Sequence, residues 1–349
     1  MTPSISRKKT CLVKIGSVKV GKNAPVSVQS MAKTDTRNVN ATVKQIKQLE
    51  KAGCEIIRVA VKDIRSAKAI KAIKRKIKIP LEADIHFDYR LALESVKSGA
   101  DAIRINPGNI KKKEDLIKVI EACKRKKIPI RIGLNSGSAG TQTAQGLVKM
   151  AKAYIKLFEQ QRFYDIMISL KASDVYTTID AYRKMALVCD YPFHLGITAT
   201  GTGNDAIIKS AIGIGTLLAE GIGDTIRVSL TDSPLEEIKV ARQILQALGL
   251  RRFYPEVISC PTCGRCQVDL VKMVNEFSKK LKAHSSQHTA AKFFPKIALM
   301  GCEVNGPGEA KEADIGIAFG KNSGILFKKG KIIKKVSAKD AIKELIKNI

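Results

Sequence analysis

The chain has 349 residues, enough for two domains or for one large α/β barrel with an appendage. It carries 62 Lys and Arg against 32 Asp and Glu, a formal net charge of +30, with 5% aromatics and no Trp. Such a charge asks for polyanionic partners, but lysines spread over nearly every helical stretch and scarce stacking rings argue against nucleic acid. No apolar run approaches the length of a membrane span, and the basic start MTPSISRKKT leads into no signal-peptide core, so a soluble, cytoplasmic protein is expected.

After a hairpin-like CLVKIGSVKVG, short β-branched runs recur at 26–31, 55–61, 80–85, 102–107, 129–135, 165–171, 193–198 and 225–231. Segments of helical periodicity lie between them, such as ATVKQIKQLEKAG and DYRLALESVKSGA, and Gly53, Gly99 and Gly249 stand where helices should stop. Eight strands alternating with helices predict the α/β class, as a (β/α)8 TIM barrel over residues 1–245, with a doubly wound sheet as the alternative.

A barrel enzyme carries its chemistry at the C-terminal ends of its strands. Polar residues do fall late in these runs or just after them: Gln29, Ser30, Asp84, His86, Asn106, Asn135, Ser136, Lys171, Thr198, Thr231 and Asp232. Within the runs, Arg58, Arg104, Arg131 and Arg227 are unusual, because a guanidinium inside a barrel needs an anion to meet. Together with the turns NSGSAG and GTG they suggest a phosphate or diphosphate site. The plainer alternative pairs each Arg with a carboxylate such as Asp84.

From Leu250 the pattern changes. A strand leads into CPTCGRC, a helix follows (QVDLVKMVNEFSKKLKAH), SSQHT reads as a loop, and KIALM leads into GCEVNGPGEA. DIGIAFG, a hairpin-like GILFKKGKIIKKV and a terminal helix complete a small α+β domain over residues 246–349. Four of the eight cysteines, Cys260, Cys263, Cys266 and Cys302, fall in its two loops, whereas Cys11, Cys54, Cys123 and Cys189 lie singly among apolar residues and should pack as small hydrophobes. A C-x2-C turn brings two thiolates onto one soft metal or iron–sulfur unit, and a later loop cysteine can close the site. Pro261 and Gly264 should stiffen and tighten that turn. Spacing alone selects Cys266 as a fourth ligand and leaves a structural zinc site or a reactive dithiol open.

Across about residues 24 to 320, the stretches APVSVQSM, ADIHFDYR, RINPGN, PIRIGLNSGS, KASDV, HLGIT, KSAIGIG, EGIGDTIRVSLT, ISCPTCGR and MGCEVNGPGEA resemble the 4-hydroxy-3-methylbut-2-enyl diphosphate synthases. The resemblance implies reductive opening of the ring of 2-C-methyl-D-erythritol 2,4-cyclodiphosphate, with two electrons passing through a [4Fe-4S] cluster in the non-mevalonate isoprenoid pathway. It implies Cys260, Cys263, Cys302 and Glu309 as cluster ligands in place of Cys266, the carboxylate being the more exchangeable ligand. It places Arg58, Arg104 and Arg131 on the anionic oxygens, with Asn106 and Asn135 in support and Lys209 as a further candidate. Asp84 and His86 fall where proton transfer or positioning is needed, and Asn305 beside the cluster. A homodimer sharing its active site between subunits, and an acidic ferredoxin or flavodoxin as electron donor, are implied as well. The chain departs from the family pattern at Ala199, where a glutamate is usual, and at Ser233, where an acidic residue is usual; Asp232 is the substitute acid. Two other readings, a zinc-containing barrel hydrolase and a basic cluster protein on nucleic acid, predict a colourless protein and salt-sensitive polynucleotide binding respectively.

Overall fold

The computed structural model describes residues 5–110, 112–172, 174–198, 200–287, 294–302, 310 and 313–349, apart from the side chains of 138–139 and 282–287. The chain divides into two compact units, Met1–Arg251 and Arg252–Ile349.

The first unit opens with an antiparallel hairpin, β1 (Val13–Ile15) and β2 (Val18–Val20). Eight parallel strands follow: β3 (Ser27–Met31), β4 (Ile56–Val61), β5 (Leu81–Ile85), β6 (Ala102–Ile105), β7 (Ile130–Asn135), β8 (Ile166–Lys171), β9 (His194–Leu195) and β10 (Thr225–Ile226). Each strand pairs with the next through β8, β9 pairs with β10, and β10 returns to β3. A bridge between Ile168 and Phe193 links β8 to the start of β9, so the expected barrel is present. The last two strands are far shorter than their β-branched runs, because beyond Leu195 and Ile226 the chain turns to Gly196 and to polar side chains at the rim. Strands β4 to β8 are buried on both faces almost throughout, as parallel strands between helices must be.

The helices α1 (Val39–Ala52), α2 (Ile64–Lys74), α3 (Tyr89–Lys97), α4 (Lys113–Lys126), α5 (Ser136–Ala139), α6 (Ala144–Gln160), α7 (Val175–Ala186), α8 (Gly203–Ala219) and α9 (Pro234–Ala247) lie between the strands or after them. Six of their starts are set by side chains that accept an orphan backbone N–H: Asn38, Asp63, Asp88, Thr143, Asp174 and Ser233. Gly53 closes α1 at φ 102°, a left-handed conformation that suits glycine.

Val13, Ile15 and Val20 of the hairpin pack against Ile56, Ala102 and Met167, which lie at the N-terminal ends of the barrel strands. The hairpin therefore plugs that end with apolar side chains. A polar ligand is left the C-terminal end.

The second unit is a five-stranded sheet of β11 (Glu256–Ser259), β12 (Lys296–Met300), β13 (Ile315–Gly320), β14 (Ser323–Lys328) and β15 (Lys331–Ser337), in that spatial order. The first three strands are parallel and the last two antiparallel. Lys329 and Gly330 both have positive φ, 49° and 75°, which is the two-residue turn that matches strand twist. Helices α10 (Leu270–Gln287) and α11 (Ala341–Lys347) cover one face through Leu270, Phe277, Leu281, Ala341, Ile342 and Leu345. Ser285, Ser286 and Gln287, expected to begin a loop, instead continue the last turn of α10, since nothing in them terminates a helix already propagating.

Candidate functional site

The four barrel arginines come from β4, β6, β7 and the residue after β10, and converge on the interior. In a parallel ladder, paired residues point to the same face, and Asp84 pairs in register with Arg104, which pairs with Arg131. Arg104 Nη1 donates to Asp84 Oδ1 at 3.0 Å, and Arg58 Nε lies 3.5 Å from Asp84 Oδ2. His86 Nε2 is 3.7 Å from the same oxygen and sits at the rim, its side chain 49% exposed. Burial alone would raise the Asp84 pKa, but Arg58, His86 and Arg104 outweigh it and hold the carboxyl well below its usual range. Asp84 therefore stays ionised.

A second, deeper group lies below. Arg131 is the most enclosed of the four, with its Nη2 2.6 Å from Glu82 Oε2 and its Nη1 donating to Gln29 Oε1 at 2.7 Å. Gln29 Nε2 in turn donates to Glu82 Oε2 at 3.0 Å. Burial pushes the Arg131 guanidinium down to about 9, against the pull of Glu82. Arg227 Nη2 is 3.6 Å from Glu237 Oε1, a buried carboxylate delivered by α9 that also faces Lys33 Nζ at 3.4 Å. Burial and Arg58 lower Arg227 to about 10.

Lys171 ends β8 inside this group at 6% exposure, with its Nζ 3.1 Å from where a Cβ on Gly196 would stand. Among the described residues, five interior basic groups, Arg58, Arg104, Arg131, Arg227 and Lys171, thus face three carboxylates, Glu82, Asp84 and Glu237. The two basic groups in excess of the carboxylates, sealed from the far end by the hairpin, are what a doubly charged anion would balance once both carry a proton.

The other sequence candidates fall in several places. Asn106 is buried at the end of β6, where its side chain accepts from Gly108 N at 3.2 Å. Asn135 is half-buried at the end of β7. Lys209 is exposed on α8, outside the interior group. Asp232 is exposed just before α9; its carboxylate accepts from Ser233 N at 2.5 Å, and its carbonyl accepts from Lys33 Nζ. Ala199, Asn305 and Glu309 lie outside the described residues. Sequence reading left out Glu82, Glu237 and His194, and did not single out Lys171 from the other late-strand polar residues. Glu82 was findable, since it stands two residues before Asp84 on a strand and so shares its face.

In the second unit, β11 and β12 are adjacent and parallel, with Ser259 in register with Leu299, so the loops bearing Cys260 and Cys302 leave the same edge of the sheet. Gly301 N donates to Cys260 Sγ at 3.3 Å. A Cβ on Gly301 would stand 2.4 Å from Cys266 Sγ and 3.5 Å from Cys260 Sγ, so the bare glycine makes room for two sulfurs. Cys266 N donates to Cys263 O at 2.9 Å, closing the turn between the thiols, and Cys302 is buried. The left-handed residue of that turn is Thr262, at φ 62°, and not Gly264, whose φ is not positive. A β-branched residue there stores roughly 1–2 kcal/mol of strain, a mark of a constrained functional loop. Among the described residues no three His, Cys, Asp or Glu side chains converge on one metal position. The described thiols, with an N–H···S hydrogen bond to Cys260 and the Cβ-free cradle at Gly301, nevertheless fit a soft iron–sulfur centre.

Two of the scattered cysteines pack as expected: Cys54 and Cys123 are buried, and burial pushes each thiol up to about 12. Cys11 does not; it is exposed, and its N–H donates to Asp190 O at 2.7 Å, beside the half-buried Cys189. The N-terminal segment runs over the surface there, so no core reaches it.

A parallel barrel with a basic interior at its open end, joined to a small α+β unit with paired thiol loops, defines a two-part TIM-barrel enzyme class. Residues 10–242 match the GcpE TIM-barrel domain and residues 256–349 the GcpE protein C-terminal domain, and the chain belongs to the GcpE family. It is 54% identical over 353 residues to the 4-hydroxy-3-methylbut-2-en-1-yl diphosphate synthase (flavodoxin) of Thermodesulfovibrio yellowstonii, covering 99% of both chains. It is likewise 54% identical to the protein of that name from Clostridium perfringens, again with 99% of both covered, and 49% identical to that of Geobacillus thermodenitrificans, with 100% of this chain and 94% of the relative covered. Among solved structures, the dihydropteroate synthase of Yersinia pestis aligns at TM-score 0.52 and 11% identity, covering 68% of this chain and 98% of that one. That likeness is one of fold.

Proposed function

We propose that this chain is an iron–sulfur oxidoreductase that opens the ring of 2-C-methyl-D-erythritol 2,4-cyclodiphosphate reductively, yielding (E)-4-hydroxy-3-methylbut-2-enyl diphosphate. The observation that carries the reading is the excess of two buried basic groups over carboxylates at the open end of the barrel, in a chain half identical over its length to synthases of that name. A cyclic diphosphate carries two negative charges and no other group that needs so basic a site.

Arg58, Arg104, Arg131, Arg227 and Lys171 meet the phosphate oxygens, and Asn106 and Asn135 supply neutral hydrogen bonds at the same strand ends. Lys209 draws the anion from outside, being exposed. Asp84, kept anionic by Arg58 and Arg104, orients those two guanidinium groups and holds His86 at the rim, where an imidazole can exchange a proton with the substrate. Asp232 is the second acidic group of the mouth, in place of the glutamate that Ala199 replaces. Excluding water from this interior strengthens each of these contacts.

Cys260, Cys263, Cys302 and Glu309 hold a [4Fe-4S] cluster, with Asn305 hydrogen-bonding beside it. When bound, the cluster supplies the two electrons and an iron whose carboxylate ligand exchanges more readily than a thiolate. The donor is flavodoxin, named in the relatives, or an acidic ferredoxin; the net charge of +30 steers either one. The enzyme acts as a cytoplasmic homodimer in which each barrel is served by the cluster of the partner subunit. No described helix is long and apolar enough to cross a membrane.

The test is anaerobic purification, iron and sulfide analysis, and addition of the cyclodiphosphate with a low-potential reductant. Brown protein that forms the allylic diphosphate supports the reading. Colourless protein with tightly held zinc, inert after cluster reconstitution, sinks it.

A further inference from the structure

We propose that anion binding in the barrel is proton-linked: Lys171 stands as a free amine in the empty site and takes up a proton from solution as the cyclic diphosphate enters. This rests on the anion-site reading above and adds to it the protonation state in which the site waits.

No hydrogen bond or ion pair joins Lys171 to another described residue, although its side chain is buried. Each described carboxylate nearby already meets a cation, Asp84 meeting Arg104, Arg58 and His86, Glu82 meeting Arg131, and Glu237 meeting Arg227 and Lys33, and the unpartnered Oε1 of Glu82 and Oε2 of Glu237 accept no hydrogen bond from Lys171. The amine lies over Gly196, whose missing side chain gives it space; the Arg227 carbonyl oxygen borders the same space but accepts no hydrogen bond from it. The charged groups acting on it are Arg58 from β4, Arg104 from β6, Arg131 from β7 and Arg227 just after β10, with His194 of β9 beside it; Glu82 and Asp84 of β5 and Glu237 of α9 share the same interior, with His86 at the rim. A buried ammonium amid four guanidinium groups and no free carboxylate is costly, and an amine gives up its proton long before a guanidinium does.

Burial first, then Arg58, Arg227, Arg131 and Arg104, push the Lys171 pKa well below that of an ordinary lysine, in agreement with the geometry. His194 cannot take the role. It is fully enclosed two residues before Gly196 on the same chain, with both ring nitrogens unpartnered among the described residues, and its pKa is depressed by burial, Arg131 and Lys171. An arriving dianion reverses the field at Lys171, and the ammonium then becomes the stable form. The ligand does not itself titrate near neutrality, because each phosphate of a cyclic diphosphate keeps a single strongly acidic proton. Proton uptake on binding therefore reports on the protein.

The experiment is titration calorimetry of the full-length, cluster-loaded protein with the cyclodiphosphate, without reductant, at fixed pH in buffers of different ionisation enthalpy. The slope of observed heat against buffer enthalpy should give uptake of about one proton per site, and the affinity should weaken about tenfold per pH unit above the pKa of the free amine. Lys171→Arg, already charged, should bind without uptake, whereas His86→Gln should keep it. Binding without uptake by the wild-type protein overturns the inference and leaves the anion site standing. Uptake that survives in Lys171→Arg and vanishes in His86→Gln also overturns it. No binding at all removes the anion-site reading itself, and the inference with it. The affinity profile of the wild-type protein decides the matter should Lys171→Arg fail to fold: an affinity flat with pH counts against proton linkage.

Discussion

Gly133→Ala should disable the anion site without touching any charged residue. A Cβ at position 133 would stand 2.5 Å from Arg104 Nε, 3.0 Å from its Nη2 and 3.1 Å from its Cζ. Ordinary contact begins at 3.4 Å, so the guanidinium must retreat by about 0.9 Å. Arg104 is buried and held on two sides, by Asp84 Oδ1 at 3.0 Å and Gly133 O at 3.3 Å, so retreat stretches at least one of these bonds beyond useful length. Losing a charge-assisted hydrogen bond costs roughly 1.5–3 kcal/mol. For a unit of this size that is a fall in Tm of roughly 3–12 °C, and if the displaced group also binds substrate, a rise in KM of roughly ten- to a hundredfold. Thermal unfolding and steady-state kinetics read both. The decisive control is Gly133→Ala placed in an Arg104→Ala background, where the new methyl has nothing to displace and should add almost no further destabilisation. An additive double variant, or a single variant with unchanged Tm and KM, would refute the packing argument.

Three further outcomes are expected. Glu309→Cys should retain its iron content and visible colour while turnover falls at least tenfold, because a thiolate leaves the position less exchangeable; undiminished turnover would remove the carboxylate from the mechanism. Raising the ionic strength from low to near-physiological should slow reduction by flavodoxin several-fold with little effect on a small neutral reductant, and equal effects on both would argue against electrostatic steering. Asp84→Asn should lower Tm at neutral pH by exposing Arg58 and Arg104 to each other's charge. Because the folded pKa of Asp84 is depressed, its contribution is complete above the unfolded carboxyl value of about 3.9 and is lost as pH falls toward the folded one. The Tm gap between wild type and Asp84→Asn should therefore narrow below about pH 4, and a gap constant across that range would contradict the ion pair.

The amino-acid sequence by itself determined the architecture. β-branched runs alternating with 3.6-period segments and glycine stops leave a chain little choice but parallel strands with helices between them, and the eight runs carry the eight strands of the barrel. The two thiol loops were legible for the same local reason, since cysteines three residues apart meet through one turn. Even there the detail escaped: the left-handed residue is Thr262 rather than a glycine, and the residue that admits Cys266 beside Cys260 is Gly301 on the other loop. Only the tertiary structure decided which arginine meets which carboxylate. Arg131 finds Glu82, Arg104 finds Asp84 and Arg227 finds Glu237, while among the described residues no carboxylate pairs with Lys171. Those pairings depend on the stagger of strands around a closed barrel, which backbone hydrogen bonds between distant segments set and local composition does not encode. The charge left over in the interior, and with it the ligand the barrel can hold, is a property of that register.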